Sequence, residues 1–357
     1  MKKFNISALI LILIVIFLSA CGGGTQSSTS NTPQDNSSGE EKKKYAIKTV
    51  YAYPSASTPG NYFNWFNEEL QKRSDGRLSL EIYSDAQLMP AIQEIPAILN
   101  GEVDMTITAN GVLSSILPDY YVYEVPLLFK HDPKDVSVHI EDLRAFYENE
   151  EGGKVIERKM EEKGLKIISQ PITSEPAIFF TRSTDQVITD VQSIKGLKMR
   201  IIGGQIVPKV LEEVGASGVP IAAAELGTAL QQGVVDGSVS PAAYAMDVKL
   251  PVKTATFFPL ATQSNPVIIS KKKFDSLPAD LKEILLEVSK ELEAYSDNFM
   301  KERYPKVLNE LEAANVQVHF PTDKEFDEWK KVLIPVWSNF TKMVEDGKKL
   351  IEAAESE

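Results

Sequence analysis

The spacing of apolar residues changes period repeatedly along this chain, and few architectures tolerate that. Strand-like spacing over 47–53 gives way to a helical pattern over 62–72, with Tyr62, Phe66 and Leu70 on one face, and 78–83 returns to strand. Residues 91–99 read as helix and 103–108 as strand again. Short strands alternating with amphipathic helices bury their apolar faces by laying the helices on an open sheet, so β-α-β-α-β predicts an α/β layer structure. A second series follows, with a strand over 166–170, an extended segment over 177–181, a strand over 198–202, helices over 206–214 and 223–231, and a strand over 235–240. Two α/β units in tandem agree with 357 residues, more than the roughly 100 to 200 of one domain.

The two units echo each other. Residues 101–108 (GEVDMTIT) and 233–240 (GVVDGSVS) share G-x-V-D-x-[TS]-[IV]-[TS] at an offset of 132 residues. Each octet follows an apolar-periodic helix, where a glycine supplies the left-handed position that ends the helix and a short strand then runs to a hydroxyl residue. Ligands of open α/β sheets sit beyond the carboxyl ends of the strands, which places Thr108 to Asn110 in one unit and Ser240 to Pro241 in the other at binding edges. The expected arrangement is two lobes facing across a cleft; repeated helix-turn-strand punctuation without a ligand is the plain structural alternative.

The last third reads as helix. From Asp280, the residues Leu281, Ile284, Leu285, Val288, Leu292, Tyr295 and Phe299 recur every three or four positions, and the pattern runs past Pro305, with a kink, to Leu311. Thirty helical residues span about 45 Å at 1.5 Å per residue, enough to bridge both lobes. After a strand over 316–320, the residues Phe326, Trp329, Leu333, Trp337, Phe340 and Val344 predict a final amphipathic helix with Pro335 inside it. Its aromatic stripe is read as core packing, with a partner surface as the alternative.

The N-terminus speaks for compartment. Lys2 and Lys3 precede an apolar run from Ala8 to Leu18, the length of a signal-peptide core and too short for the roughly 20 residues of a spanning helix. The run ends at Leu18-Ser19-Ala20-Cys21, which resembles the lipobox of bacterial lipoproteins, where the signal is cut before a cysteine that is then acylated. Residues 1–20 are thus expected to be a signal peptide and Cys21, the single cysteine, a lipid carrier, with a buried thiol as the alternative. Residues 21–44, polar beyond that cysteine, are a flexible linker, and folding is expected to begin near Tyr45.

Composition removes several function classes. With 38 Lys plus Arg against 50 Asp plus Glu the formal charge is −12, and basic runs are confined to Lys42-Lys43-Lys44 and Lys271-Lys272-Lys273, so a nucleic-acid partner is not expected. One cysteine excludes a disulfide scaffold. His131, His139 and His319 are scattered without metal-ligand spacing, and there is no nucleophile elbow, Walker loop or dinucleotide fingerprint. Gly203-Gly204 after a strand is only a weak echo of a phosphate loop, and carboxylate clusters such as Glu148 to Glu151 read as solvated surface. No catalytic residue, metal or cofactor is expected, and a binder is favoured over an enzyme.

A family resemblance rests on Lys195-Gly196-Leu197-Lys198-Met199-Arg200, on Glu225, and on Ala229-Leu230-Gln231-Gln232-Gly233-Val234-Val235-Asp236-Gly237. Supporting matches are Gly76-Arg77-Leu78, Glu81-Ile82-Tyr83, Gln87-Leu88, Gly101 to Asp104, Val125-Pro126-Leu127-Leu128-Phe129 and Leu277-Pro278-Ala279-Asp280-Leu281. Together they resemble the solute-binding proteins of tripartite ATP-independent periplasmic (TRAP) transporters, the DctP type. The resemblance implies a two-lobed α/β clamshell of the periplasmic-binding-protein kind, with a long helix across both lobes and a chain that passes between them more than once. Lobe I would hold 45–174 plus 266–305 and lobe II 175–265 plus 306–357. It further implies delivery of a small organic acid to a small and a large membrane permease subunit.

By position in the motif, Arg200 matches the arginine that grips the substrate carboxylate, which a guanidinium can bond through both oxygens at once; the alternative is an arginine tying the lobe edges together. Ser240 stands where sialic-acid-binding relatives carry an amide, their second arginine is replaced at Ala177 with Phe179 and Phe180 nearby, and an aromatic after the motif glutamate is replaced by Gly227. These departures favour a smaller or more apolar monocarboxylate over a sugar acid. Tyr53, Asn110 and Phe179 complete the expected wall. The implied protein is an extracytoplasmic, lipid-anchored transport receptor; a sensory lipoprotein for the same ligand, or a secreted enzyme on the same scaffold, are the alternatives.

Overall fold

Strand formation begins as soon as the polar leader ends. The structure, a computed structural model, describes residues 43–356. The signal segment, Cys21 and the linker as far as residue 42 lie outside the described residues. Eleven strands are present among the described residues: β1 (Tyr45–Val50), β2 (Leu78–Tyr83), β3 (Met105–Ile107), β4 (Leu165–Ser169), β5 (Ala177–Thr181), β6 (Lys198–Ile201), β7 (Ser217–Pro220), β8 (Gly237–Ser240), β9 (Thr254–Ala261), β10 (Val267–Ser270) and β11 (Gln317–His319). The helices between and after them are α1 (Thr58–Arg73), α2 (Ala91–Asn100), α3 (Asn110–Leu113), α4 (Val136–Glu148), α5 (Gly153–Glu162), α6 (Ile206–Glu213), α7 (Leu226–Gln232), α8 (Ala242–Asp247), α9 (Lys271–Ser276), α10 (Ala279–Ala313), α11 (Asp323–Leu333), α12 (Trp337–Met343) and α13 (Gly347–Glu355).

The strands form two sheets, in the orders β2-β1-β3-β10-β4 and β11-β9-β5-β8-β6-β7. In the first, β1 is parallel to β2 and β3, and β10 is antiparallel to β3 and β4. In the second, β6 is parallel to β7 and β8, β5 is antiparallel to β8 and β9, and β11 is parallel to β9. The chain crosses between sheets from β4 to β5, from β9 to β10 and along α10 to β11, so the fold is a two-lobed α/β structure in which neither lobe is contiguous in sequence.

The repeated octets build equivalent junctions. Gly101 and Gly233 close α2 and α7 with φ of 77° and 70°, left-handed values that cost a side chain energy and glycine little. The aspartate three residues on then clamps the neighbouring parallel strand. Asp104 Oδ2 accepts from the Lys48 amide at 2.9 Å while the Asp104 amide donates to the Lys48 carbonyl at 2.8 Å. Asp236 does the same to Lys198, at 2.9 and 2.8 Å.

Helix α10 runs unbroken through Pro305 for 35 residues, about 52 Å at 1.5 Å per residue. Leu281, Leu285, Val288 and Leu292 join a core with Ile47, Phe66 and Leu78, whereas Met300, Tyr304, Val307 and Leu311 join a second core with Phe179, Phe258 and Trp329. One helix therefore packs on α1 and β4 at one end and on α8 and β11 at the other.

The final helix differs from expectation. Pro335 has no amide to donate and its ring crowds the preceding turn, so α11 ends at Leu333, Ile334–Val336 form a 3-10 turn, and α12 starts afresh. Helices α12 and α13 pack on the 3-10 segment Pro118–Glu124, and α13 also packs on α4. The Trp337 indole donates to the Pro126 carbonyl at 2.9 Å, and Lys159 pairs with both Asp119 and Asp346.

Candidate functional site

A cavity of about 610 Å³ opens between the sheets. Its walls come from the segments that follow β1, β3, β6, β7 and β8, that is, from the carboxyl ends of parallel strands in both sheets. Tyr53, Thr58 and Thr108 stand on one side; Arg200, Ile221 and Tyr244 face them.

Arg200 is the centre of charge. It lies in β6, held in register between Val219 of β7 and Ser238 of β8, and is 2% exposed. Its Nε donates to the Ile221 carbonyl at 2.9 Å, which fixes the guanidinium plane against the wall. Burial pulls its pKa below the ordinary arginine value, opposed by the Tyr244 and Tyr53 hydroxyls, and no carboxylate of the described residues pairs with it. A buried cation without a counter-charge is costly, and an entering anion removes that cost.

Tyr53 donates to Asn265 Oδ1 at 2.9 Å and also lines the cavity, its hydroxyl pKa pushed far up by burial. Tyr244 donates to the Ala223 carbonyl at 3.3 Å. Asp247, the acidic side chain of the wall, is committed elsewhere: it pairs with Arg303 of α10 at 2.7 Å and accepts from Thr58 Oγ1 at 3.3 Å.

The other expected residues are not all brought together with these. Asn110 borders a small adjoining cavity, and its amide oxygen accepts from the Ser264 amide at 3.4 Å, tying α3 to the crossover that precedes β10. Ser240 is fully buried with its hydroxyl 3.1 Å from that of Ser238, and it does not line the cavity. Phe179 corrects the expectation outright, because its ring packs on Trp329 and Phe258, with centroids 5.5 and 6.4 Å away, in the core of the second lobe. Strand β5 is covered on both faces, and the face that carries Phe179 is the one closed by α11.

Three buried carboxyls surround the crossing region, none singled out by sequence. Glu94 Oε2 accepts from Thr106 Oγ1 at 2.9 Å, Glu124 Oε2 from the Ile206 amide at 3.2 Å, and Glu175 Oε1 from the Ala243 amide at 2.8 Å. Burial pushes Glu94 and Glu175 up to about 7 and Glu124 to about 8, with those hydrogen bonds pulling the other way. Glu124 occupies the N-terminus of α6 and presses on Gly204, where a Cβ would lie 2.1 Å from Oε1. The Gly203-Gly204 loop thus receives a carboxyl group of this chain, which accounts for a glycine pair that only faintly resembled a phosphate loop. Among the described residues no group of three His, Cys, Asp or Glu is placed to hold a metal ion.

The discontinuous lobes and the cleft with one unpaired arginine define a solute-binding protein of the two-lobed class. The model for bacterial extracellular solute-binding protein family 7 (DctP) matches residues 50–343, and the chain belongs to that family, the TRAP solute-binding proteins, which are transport receptors and not enzymes. Among curated relatives, the C4-dicarboxylate-binding periplasmic protein DctP of Rhodobacter capsulatus is 28% identical over 76% of this chain and 79% of its own length. The 2,3-diketo-L-gulonate-binding periplasmic protein YiaO of Escherichia coli is 25% identical over 73% and 76%. Among solved structures, a sugar-acid-binding protein of Advenella mimigardefordensis in complex with galactonate superposes with a TM-score of 0.79 at 23% identity, covering 88% of this chain and 99% of its own. A TRAP periplasmic solute-binding protein of Sulfurospirillum deleyianum with bound succinate gives 0.78 at 20% identity, with the same coverage.

Proposed function

We propose that this chain captures a small organic acid in the cleft between its lobes, holds the carboxylate on Arg200, and delivers the acid to the two membrane subunits of a TRAP transporter. The observation that carries the reading is the buried guanidinium of Arg200, fixed by the Ile221 carbonyl and unpaired with any carboxylate of the described residues. Carboxylate ligands named for the relatives support the same chemistry. The moving bodies are proposed to be 45–174 with 266–305 and 175–265 with the residues from 306 onward, α12 and α13 clasping segment 118–126. No helix among the described residues is long and apolar enough to cross a membrane, and Cys21 is proposed to carry the lipid that anchors the receptor outside the cytoplasm. Cys21→Ser is then expected to leave the membrane fraction while binding ligand normally; retention there would remove the lipid from the reading.

Arg200 supplies the direct test. Charge-assisted hydrogen bonds contribute about 1.5 to 3 kcal/mol each, so losing two weakens binding by about two to four powers of ten. Calorimetric titration with the acid recovered from the purified protein should show Arg200→Ala without measurable binding and Arg200→Lys partly restored, since an ammonium keeps charge without the planar fork. Near-native affinity in the alanine variant would remove Arg200 from the site.

A further inference from the structure

The cavity contains one cation without a carboxylate partner, and its walls are mainly apolar. Arg200 is its unpaired cation, and Asp247 is already bonded to Arg303 and Thr58. The Tyr53 proton goes to Asn265 and the Tyr244 proton to the Ala223 carbonyl, so neither hydroxyl donates to a ligand without breaking a bond in place. A second carboxylate on the ligand would meet no second cation in the wall. Beyond Arg200 the walls are largely apolar, and Ile92 on one lobe and Ile202 on the other stand at the wall 56% and 38% exposed. Such residues are left wet unless a ligand covers them.

We propose that the ligand is a monocarboxylate with an uncharged, mainly apolar body, its carboxylate on Arg200 and its body between Ile92 and Ile202. This rests on the organic-acid reading above, and it departs from the dicarboxylates and sugar acids named for the relatives.

The test is calorimetric titration of ligand-free protein with acetate, butanoate, hexanoate and octanoate, beside succinate and galactonate. Burying a methylene contributes enough that each added CH₂ should tighten binding about threefold to fourfold, with hexanoate well ahead of succinate and galactonate. Ile92→Ser and Ile202→Ser, both on exposed positions, should flatten the series while the melting temperature stays put. A flat series, or succinate or galactonate binding more tightly than every alkyl acid, would overturn the apolar class and leave the organic-acid receptor standing. No binding by any of the six acids would overturn both.

Discussion

Glu124 illustrates what burial does at the scale of one residue. Its carboxyl, 3% exposed, is held to about 8 against an ordinary 4.5, so the folded state keeps a proton that the unfolded chain has released over the whole interval between. Stability from this group is complete below about pH 4.5 and is lost as pH climbs to about 8, and Glu94 and Glu175 act in the same direction up to about 7. Each carboxyl can contribute a slope of up to about 1.4 kcal/mol per pH unit within its window. His131 and His139, kept neutral by burial, act in the opposite sense up to about pH 6.5, so the melting temperature is expected to fall from pH 6.5 to 8 and Glu124→Gln to flatten that fall; a wild-type melting temperature that rises with pH over that range would show these carboxyls ionised in the fold. None of the three was legible in the sequence, because a buried glutamate that caps a distant backbone amide looks like any other glutamate in one dimension. Arg200 was singled out by its motif, and it lies buried at the cavity wall. Phe179 was misread because apolar alternation marks a strand without telling which of its two covered faces looks into a cleft.

Among elements, the junctions built by the repeated octets were the most readable. Glycine, valine and aspartate each answer to a local demand: a left-handed cap, a buried strand entry and a clamp on the neighbouring strand. Asp236 fixes Lys198, and Arg200 follows two residues later on β6. Asp236→Ala should cost about 1 kcal/mol of stability for a partly exposed hydrogen bond and should also weaken ligand binding. Asp104→Ala, on the other sheet, also loses an ion pair with Lys273 and should cost more stability with affinity nearly unchanged; paired denaturant melts and titrations separate the two, and equal effects on affinity would contradict a role for the clamp in presenting Arg200. Strands β7, β9 and β10 escaped the reading. β10 is four residues long and buried over Val267 to Ile269, and β9 is a nearly continuous apolar run with Pro259 inside, so neither offers the alternation that marks a half-exposed strand. Pro335 shows the converse, since the apolar spacing continues across it while the backbone cannot.

For the whole molecule, the tandem units and the long bridging helix followed from period and length, whereas the interleaving of the sheets came only with the family resemblance, because β10 and β11 are added from the far side of the other lobe. A ligand favours whichever arrangement of the lobes gives it more contacts, so binding should shift the population to a more compact form. Small-angle scattering at saturating ligand should show a smaller radius of gyration than the ligand-free protein, and an unchanged value would argue against closure.

The position of β10 has a temporal side as well. β4 joins its sheet only through β10, so when residues 165–169 leave the ribosome their partner strand does not yet exist, and about a hundred further residues must emerge before it does. Until then the first lobe has only the ribbon β2-β1-β3, and the segment from 136 to 169 lacks the sheet edge it completes. The order of strands thus leaves the first sheet incomplete until most of the chain is made.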